Sequence, residues 1–170
     1  ELKGINEINT GVYLFDIATL KESVKKLKSN NSQGELYLTD VITEIKNGGG
    51  KTAAILSLDY TETLGINDRT QLAESAAIMR DRINDGHMRA GVTITDPTTT
   101  WIDVTVKIEN DVTIHPGSWL IGKTSIAKNS VIGPRSTLKD VVVKESAHIF
   151  ESNVRESEIG CCANVGPYSF

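Results

Sequence analysis

Three polar clusters carry side chains of the kind that bind ligands. Ile8-Asn9-Thr10-Gly11 interrupts a strand-like run with an amide and a glycine, which would let a ligand approach the backbone. A β-bulge accounts for the same residues, and composition alone favours it. Gln33-Gly34-Glu35-Leu36-Tyr37-Leu38-Thr39-Asp40 gathers hydrogen-bonding side chains at a loop-to-helix junction, where plain helix capping is the competing explanation. Glu62-Thr63-Leu64-Gly65-Ile66-Asn67-Asp68 ends a loop on an amide and a carboxylate at the start of a helix. Oxygen donors in that position suit Mg²⁺ and phosphates, and capping explains them equally.

Other motifs carry less chemistry. Asn47-Gly48-Gly49-Gly50-Lys51-Thr52 resembles a phosphate-binding loop, but Ile45 stands where that loop needs its first glycine, and a helix precedes it instead of a strand. A helix-to-strand turn is the expectation. His87, His115 and His148 are scattered, with no carboxylate or cysteine at zinc-ligand spacing. Cys161 and Cys162 are adjacent, and vicinal pairs rarely bridge, so no disulfide framework is expected. Core or corner packing is their predicted role.

These side chains must be positioned by an α/β region and a repeat region. Val12-Tyr13-Leu14-Phe15 is apolar on both faces, as a buried strand would be. Asp16 then caps a helix with Ile17, Leu20, Val24 and Leu27 at helical spacing. After a polar loop over 29–34, a second helix places Leu38, Val41, Ile42 and Ile45 on one face, and Ala53 to Leu58 reads as another strand. The clearest helix runs from Asn67 to Gly91. Asp68 and Gln71 form a capping box, Leu72, Ala76, Met79 and Ile83 line one face, and Gly86 or Gly91 ends it. It is read as a connecting helix, with a boundary near Asp96-Pro97.

Beyond Pro97 large aliphatics recur every six residues at Ile102, Ile108, Ile114, Leu120, Ile126, Ile132 and Leu138. The register then shortens in places through Val143, Ile149, Val154, Ile159 and Val165. Two residues before each early aliphatic sits a small or β-branched residue: Val106, Val112, Ser118, Thr124, Ser130, Ser136. Turn residues fall between, as in Asn110-Asp111 and Pro116-Gly117. A six-residue period belongs to a parallel β-helix, whereas a sandwich of short strands needs wider spacing. From Ile102 to Phe170 the repeats predict nearly four coils of about 18 residues each, with flat faces and an open end that call for association.

Composition sets the outer bounds. The 170 residues hold 18 Lys and Arg against 22 Asp and Glu, a formal charge of −4, which argues against a dedicated nucleic-acid binder. No apolar run reaches the roughly 20 residues that span a bilayer, and no signal peptide opens the chain. A soluble protein of a reducing cytoplasm is expected. The chain opens at Glu1 without methionine and stops at Pro167-Tyr168-Ser169-Phe170 inside the repeat, so it reads as a segment of a longer protein.

Taken in order, INTGVYLFD, NNSQGELYLTDVI, ETLGINDRTQLAES, GVTITDPTTTWID and the hexapeptide repeats resemble one family over essentially the whole chain. It is the bacterial bifunctional N-acetylglucosamine-1-phosphate uridyltransferase and glucosamine-1-phosphate acetyltransferase. The resemblance implies the C-terminal part of an α/β, Rossmann-like nucleotidyltransferase domain at 1–66, a connecting helix and linker at 67–100, and the first coils of a left-handed parallel β-helix at 101–170. The left hand comes from the family alone, since general crossover statistics favour the other. It further implies uridyl transfer from UTP to N-acetylglucosamine 1-phosphate, giving UDP-N-acetylglucosamine for cell-wall synthesis. It implies acetyl transfer from acetyl-CoA to glucosamine 1-phosphate, and a homotrimer built through the β-helix.

Residue by residue, Asn9 resembles the asparagine that hydrogen-bonds the sugar, and Tyr37 and Thr39 resemble residues lining the same sugar pocket. Asn67 resembles a direct Mg²⁺ ligand that also serves substrate binding, an aspartate elsewhere completing the protein's share of the shell. The family's glycine-rich nucleotide loop and that aspartate have no counterpart in these 170 residues, and the acetyltransferase residues belong to later coils. No catalytic residue is therefore assigned within the segment, which is expected to be inactive alone. A monofunctional sugar-nucleotide pyrophosphorylase with a β-helix tail, or a non-catalytic scaffold of the same fold, would share these features.

Overall fold

The structure is a computed structural model that describes residues 7–29 and 34–169, and the chain divides into two compact units, Glu1–Gly65 and Ile66–Phe170. Each is built by its own physics. The polar run at 30–33, read from sequence as a loop, lies outside the described residues, as does Gln33 of the second cluster.

The first unit holds two short helices. In α1 (Ile17–Val24), Asp16 is the N-cap, its carboxylate accepting the Thr19 amide at 2.8 Å. This holds the Asp16 carboxyl below its usual range, the Thr19 backbone bond contributing most and its hydroxyl next. In α2 (Leu38–Asn47), Val41 and Ile45 are buried, and α2 packs against α1. Three successive glycines stop it: the amides of Gly48, Gly49 and Gly50 bond to the carbonyls of Glu44, Lys46 and Ile45. Gly50 admits no side chain, because a Cβ there would lie 2.7 Å from Ile45 Cγ2. The Asn47–Thr52 run is thus a helix terminus whose donors are already used, not a phosphate loop.

The two strands expected in this unit do not form. Neither the run through Phe15 nor Ala53–Leu58 pairs with a neighbour, and no sheet occurs among the described residues of the unit. A strand is held by hydrogen bonds to the strand beside it. Without one, Leu14 is fully exposed, and Ile8, Val12, Ile55, Leu56 and Leu58 also face solvent. The Rossmann-like sheet is accordingly not seen among the described residues.

The second unit opens with α3 (Arg69–Arg89). Asp68 caps it through the Gln71 amide at 2.8 Å, while the Gln71 side chain reaches back to the Asn67 amide at 2.6 Å. At the other end Val92 N–H bonds to the His87 carbonyl and Gly91 takes φ +95°, so Gly91 rather than Gly86 ends the helix. The contact face shares only Ile83 with the apolar stripe. Leu72 and Met79 are about half exposed, and the residues turned to the coils are Arg80, Ile83, Asn84 and His87.

Thirteen short strands then wind a parallel β-solenoid of about four turns, as the six-residue period predicts. Three sheets run the length of the coil: β1 (Thr93–Ile94), β4 (Thr113–Ile114), β7 (Val131–Ile132), β10 (His148–Ile149) and β13 (Asn164–Val165) form the first. β2 (Trp101–Ile102), β5 (Trp119–Ile121), β8 (Thr137–Lys139) and β11 (Asn153–Arg155) form the second. β3 (Lys107–Ile108), β6 (Ser125–Ile126), β9 (Val142–Val143) and β12 (Glu158–Ile159) form the third. The coil begins at Thr93, one strand earlier than the boundary at Asp96-Pro97 placed it.

Each aliphatic stacks on its counterpart one turn away, Ile114 on Ile132 and Leu120 on Leu138, all fully buried. Small residues fill the corners beside them. Ser118, Thr124 and Ser136 are completely buried, and their hydroxyls donate to the carbonyls of His115, Ile121 and Pro134 in their own turns. A corner that brings backbone carbonyls inside needs donors, and a short hydroxyl supplies one without filling the aliphatic space. At Gly166 (φ +116°) a Cβ would collide with the Phe150 carbonyl of the coil above, so no other residue fits.

Candidate functional site

Asn9 sits in a local turn. Its Oδ1 accepts the Gly11 amide at 3.0 Å, Gly11 holds φ +76°, and its Nδ2 donates to the Tyr13 hydroxyl at 2.5 Å. This is an Asx turn, not the β-bulge that the strand reading required. Tyr13 and Phe15 stack beyond it with ring centroids 5.7 Å apart.

Tyr37 and Thr39 lie together at the start of α2. Tyr37 is its N-cap in extended backbone, its carbonyl accepting the Asp40 amide at 3.0 Å and its side chain making no capping bond. Thr39 is exposed on the first turn. The Tyr37 side chain therefore does not cap α2. The recess between α1 and α2 is lined by Lys26, Leu27, Lys28, Asp40, Thr43 and Glu44, so it contains Asp40 of the cluster but neither Tyr37 nor Thr39.

Asn67 belongs to the second unit, one residue ahead of the α3 cap. Its backbone amide is held by Gln71, and its exposed side-chain amide makes no hydrogen bond among the described residues. The neighbouring Asp68 carboxylate is committed to the helix end. Mg²⁺ takes six oxygens and is generally anchored by one or two carboxylates. One neutral amide oxygen does not meet that demand, and no three His, Cys, Asp or Glu side chains gather among the described residues. The residues of this chain by themselves do not fit a Mg²⁺ site.

Polar residues of α3 that the apolar pattern gave no reason to single out do the docking of helix on coil. Asn84 is fully buried, its Nδ2 donating to the Pro97 and Thr100 carbonyls at 3.0 Å each. Arg80 donates to the Thr98 carbonyl at 2.9 Å and lies 5.1 Å over the Trp101 ring, which stacks on Trp119. Asp96 accepts from the Thr98 and Thr99 hydroxyls at 2.6 and 2.8 Å, the Thr98 bond leading in holding its carboxyl below the usual range. His87 is half-buried against the coil, and burial lowers its pKa. Their spacing on the helix, with a tryptophan past the turn, was the available signal.

A recess of about 470 Å³ opens at the last coil between Asn153, Val154, Arg155, Ser157, Ile159, Val165 and Ser169. No helix among the described residues is long and apolar enough to cross a membrane.

No family model matches the chain. Curated relatives match it nearly end to end. It is 49% identical over 166 residues to the bifunctional protein GlmU of Corynebacterium diphtheriae, covering 98% of this chain and 34% of that protein. Identity is 48% to the Mycobacterium leprae protein over 98% of the chain, and 44% to that of Brevibacillus brevis over 99%. The chain spans about a third of the length of these relatives. With identity of 44–49% over 98–100% of its length, the chain belongs to the GlmU family of bifunctional proteins.

Proposed function

We propose that this chain works as part of a full-length bifunctional transferase that makes UDP-N-acetylglucosamine. The observation that carries the reading is the identity of 43–49% to GlmU proteins over 98–100% of the chain. In that protein one activity joins UTP and N-acetylglucosamine 1-phosphate, and the other acetylates glucosamine 1-phosphate from acetyl-CoA.

Asn9, Tyr37 and Thr39 take the sugar. All three are neutral groups that both donate and accept, which suits hydroxyls and an acetamido group. The Asx turn at Asn9 and the place of Tyr37 and Thr39 at the start of α2 support this, since each presents its side chain from a fixed local structure. Asn67 contributes one neutral oxygen toward Mg²⁺, and the carboxylate share of that shell would come from the rest of the protein. A left-handed winding, a cytoplasmic location and a homotrimer joined through the solenoid complete the reading.

The experiment uses the full-length protein. Pyrophosphate release from UTP and N-acetylglucosamine 1-phosphate is measured beside acetyl transfer, for wild type and Asn67→Ala. Uridyl transfer should fall at least about tenfold, matching the loss of one directed contact of 1.4 kcal/mol or more. Raising Mg²⁺ should recover part of it, and acetyl transfer should stay level. Wild-type uridyl transfer at limiting Mg²⁺ would remove Asn67 from the site.

A further inference from the structure

Cys161 and Cys162 are the only cysteines of the 170 residues, and both are free and exposed. Of the core or corner packing expected of them, the corner is what forms: they make the turn between β12 and β13. The same corner is built from Asn110-Asp111, Lys128-Asn129 and Glu145-Ser146 in the preceding coils. In each pair the second residue has left-handed backbone, with φ near +60° at Asp111, Asn129, Ser146 and Cys162. The corners stack through their amides, Ser146 N–H to the Lys128 carbonyl at 3.1 Å and Cys162 N–H to the Glu145 carbonyl at 3.0 Å.

Lys128, Asn129 and Glu145 are exposed although their coils have neighbours on both sides. Cys161 thus stands where Lys128 and Glu145 are exposed, and Cys162 where Asn129 is exposed and Ser146 half-buried, so the corner position keeps both thiols accessible. Every earlier corner fills that position with polar groups, which solvate well. Thiols hydrogen-bond weakly and gain nothing from packing there. What the last corner offers is two soft ligands side by side on one turn, which the Ala163 N–H to Gly160 carbonyl contact closes at 3.3 Å.

Adjacent Cα atoms lie about 3.8 Å apart, closer than the roughly 4.4–6.8 Å that a relaxed disulfide spans. The pair resists oxidation onto itself and persists as a dithiol. A larger thiophilic atom inserted between the sulfurs removes that restriction. We infer that Cys161-Cys162 is a chelating site for trivalent arsenicals. With an organic arsenic oxide, both S–H protons and the oxide oxygen leave as one water. Two As–S bonds replace the As=O bond, and neither arsenic nor sulfur changes oxidation state.

The test uses the 170-residue chain, with folding confirmed by circular dichroism, and phenylarsine oxide as the probe. A thiol titration should first find two reactive groups. Intact mass spectrometry should then show one phenylarsenic adduct per chain. Because two tethered bonds must break together, stripping it should need at least about a hundredfold more monothiol than stripping the adducts of Cys161→Ser or Cys162→Ser. A dithiol should remove it readily. No titratable thiol, no adduct, or a wild-type adduct as labile to monothiol as those of the single variants would overturn the site.

Discussion

At the scale of single residues, the buried amide of Asn84 ties α3 to the coils. Its two bonds satisfy carbonyls that turn inward where the chain passes Pro97 and Thr100. Asn84→Ala removes both donors and leaves the carbonyls dry, a loss of about 1–3 kcal/mol to be read from urea unfolding. Asn84→Asp should cost more, since a buried carboxylate would face two carbonyl oxygens. His87 sets a pH dependence. Burial lowers its folded pKa below the usual 6.5, so the unfolded chain binds the proton more readily. Stability should be complete above pH 6.5 and decline as pH falls toward the folded pKa, and His87→Gln should flatten that decline in thermal melts. Neither role was visible beforehand. An asparagine or a histidine on a helix is ordinary until a neighbouring coil closes over it.

At the scale of elements, the same kind of side chain has opposite value in the two units. Leu120 is fully buried in the solenoid, and Leu14 is fully exposed in an unpaired run. Leu120→Ala should destabilise the coil by about 2–5 kcal/mol. Leu14→Ala should change the stability of this chain by less than about 0.5 kcal/mol. Equal losses would show that the run through Phe15 is packed in solution. The helices illustrate how far a pattern reaches. Caps at Asp16 and Asp68 were legible because a cap needs only residues three apart. The docking face of α3 was legible only at Ile83, because Leu72 and Met79 of the same stripe stay about half exposed while Arg80 and Asn84 make the contacts.

At the scale of the whole molecule, the solenoid has hydrogen bonds between every pair of coils, whereas the first unit holds a small core around Val41 and Ile45. Hydrogen exchange should therefore divide the chain near Gly65. Strand amides such as Thr113, His115 and Trp119 should be the slowest, and the amides of 51–58 should exchange within the dead time. Limited proteolysis should cut the first unit while leaving a solenoid fragment intact. Equal protection in both units would contradict this division.

The sequence alone determined the solenoid, since its period is local and each coil sees only its neighbours. Seven aliphatics six residues apart leave one arrangement in which all are buried, and Ile114, Leu120, Ile132 and Leu138 are indeed buried in column. The motifs around Asn9, Tyr37, Thr39 and Asn67 were legible enough to point to the family. Tertiary structure decided what pattern cannot carry. It left Val12-Tyr13-Leu14-Phe15 without a β-partner, because an apolar run becomes a strand only beside another. It made Asn67 part of the solenoid unit, whereas Asn9, Tyr37 and Thr39 belong to the first, and it turned Cys161 and Cys162 outward. Pairing and facing are set by contacts distant in sequence, which no single stretch of residues records.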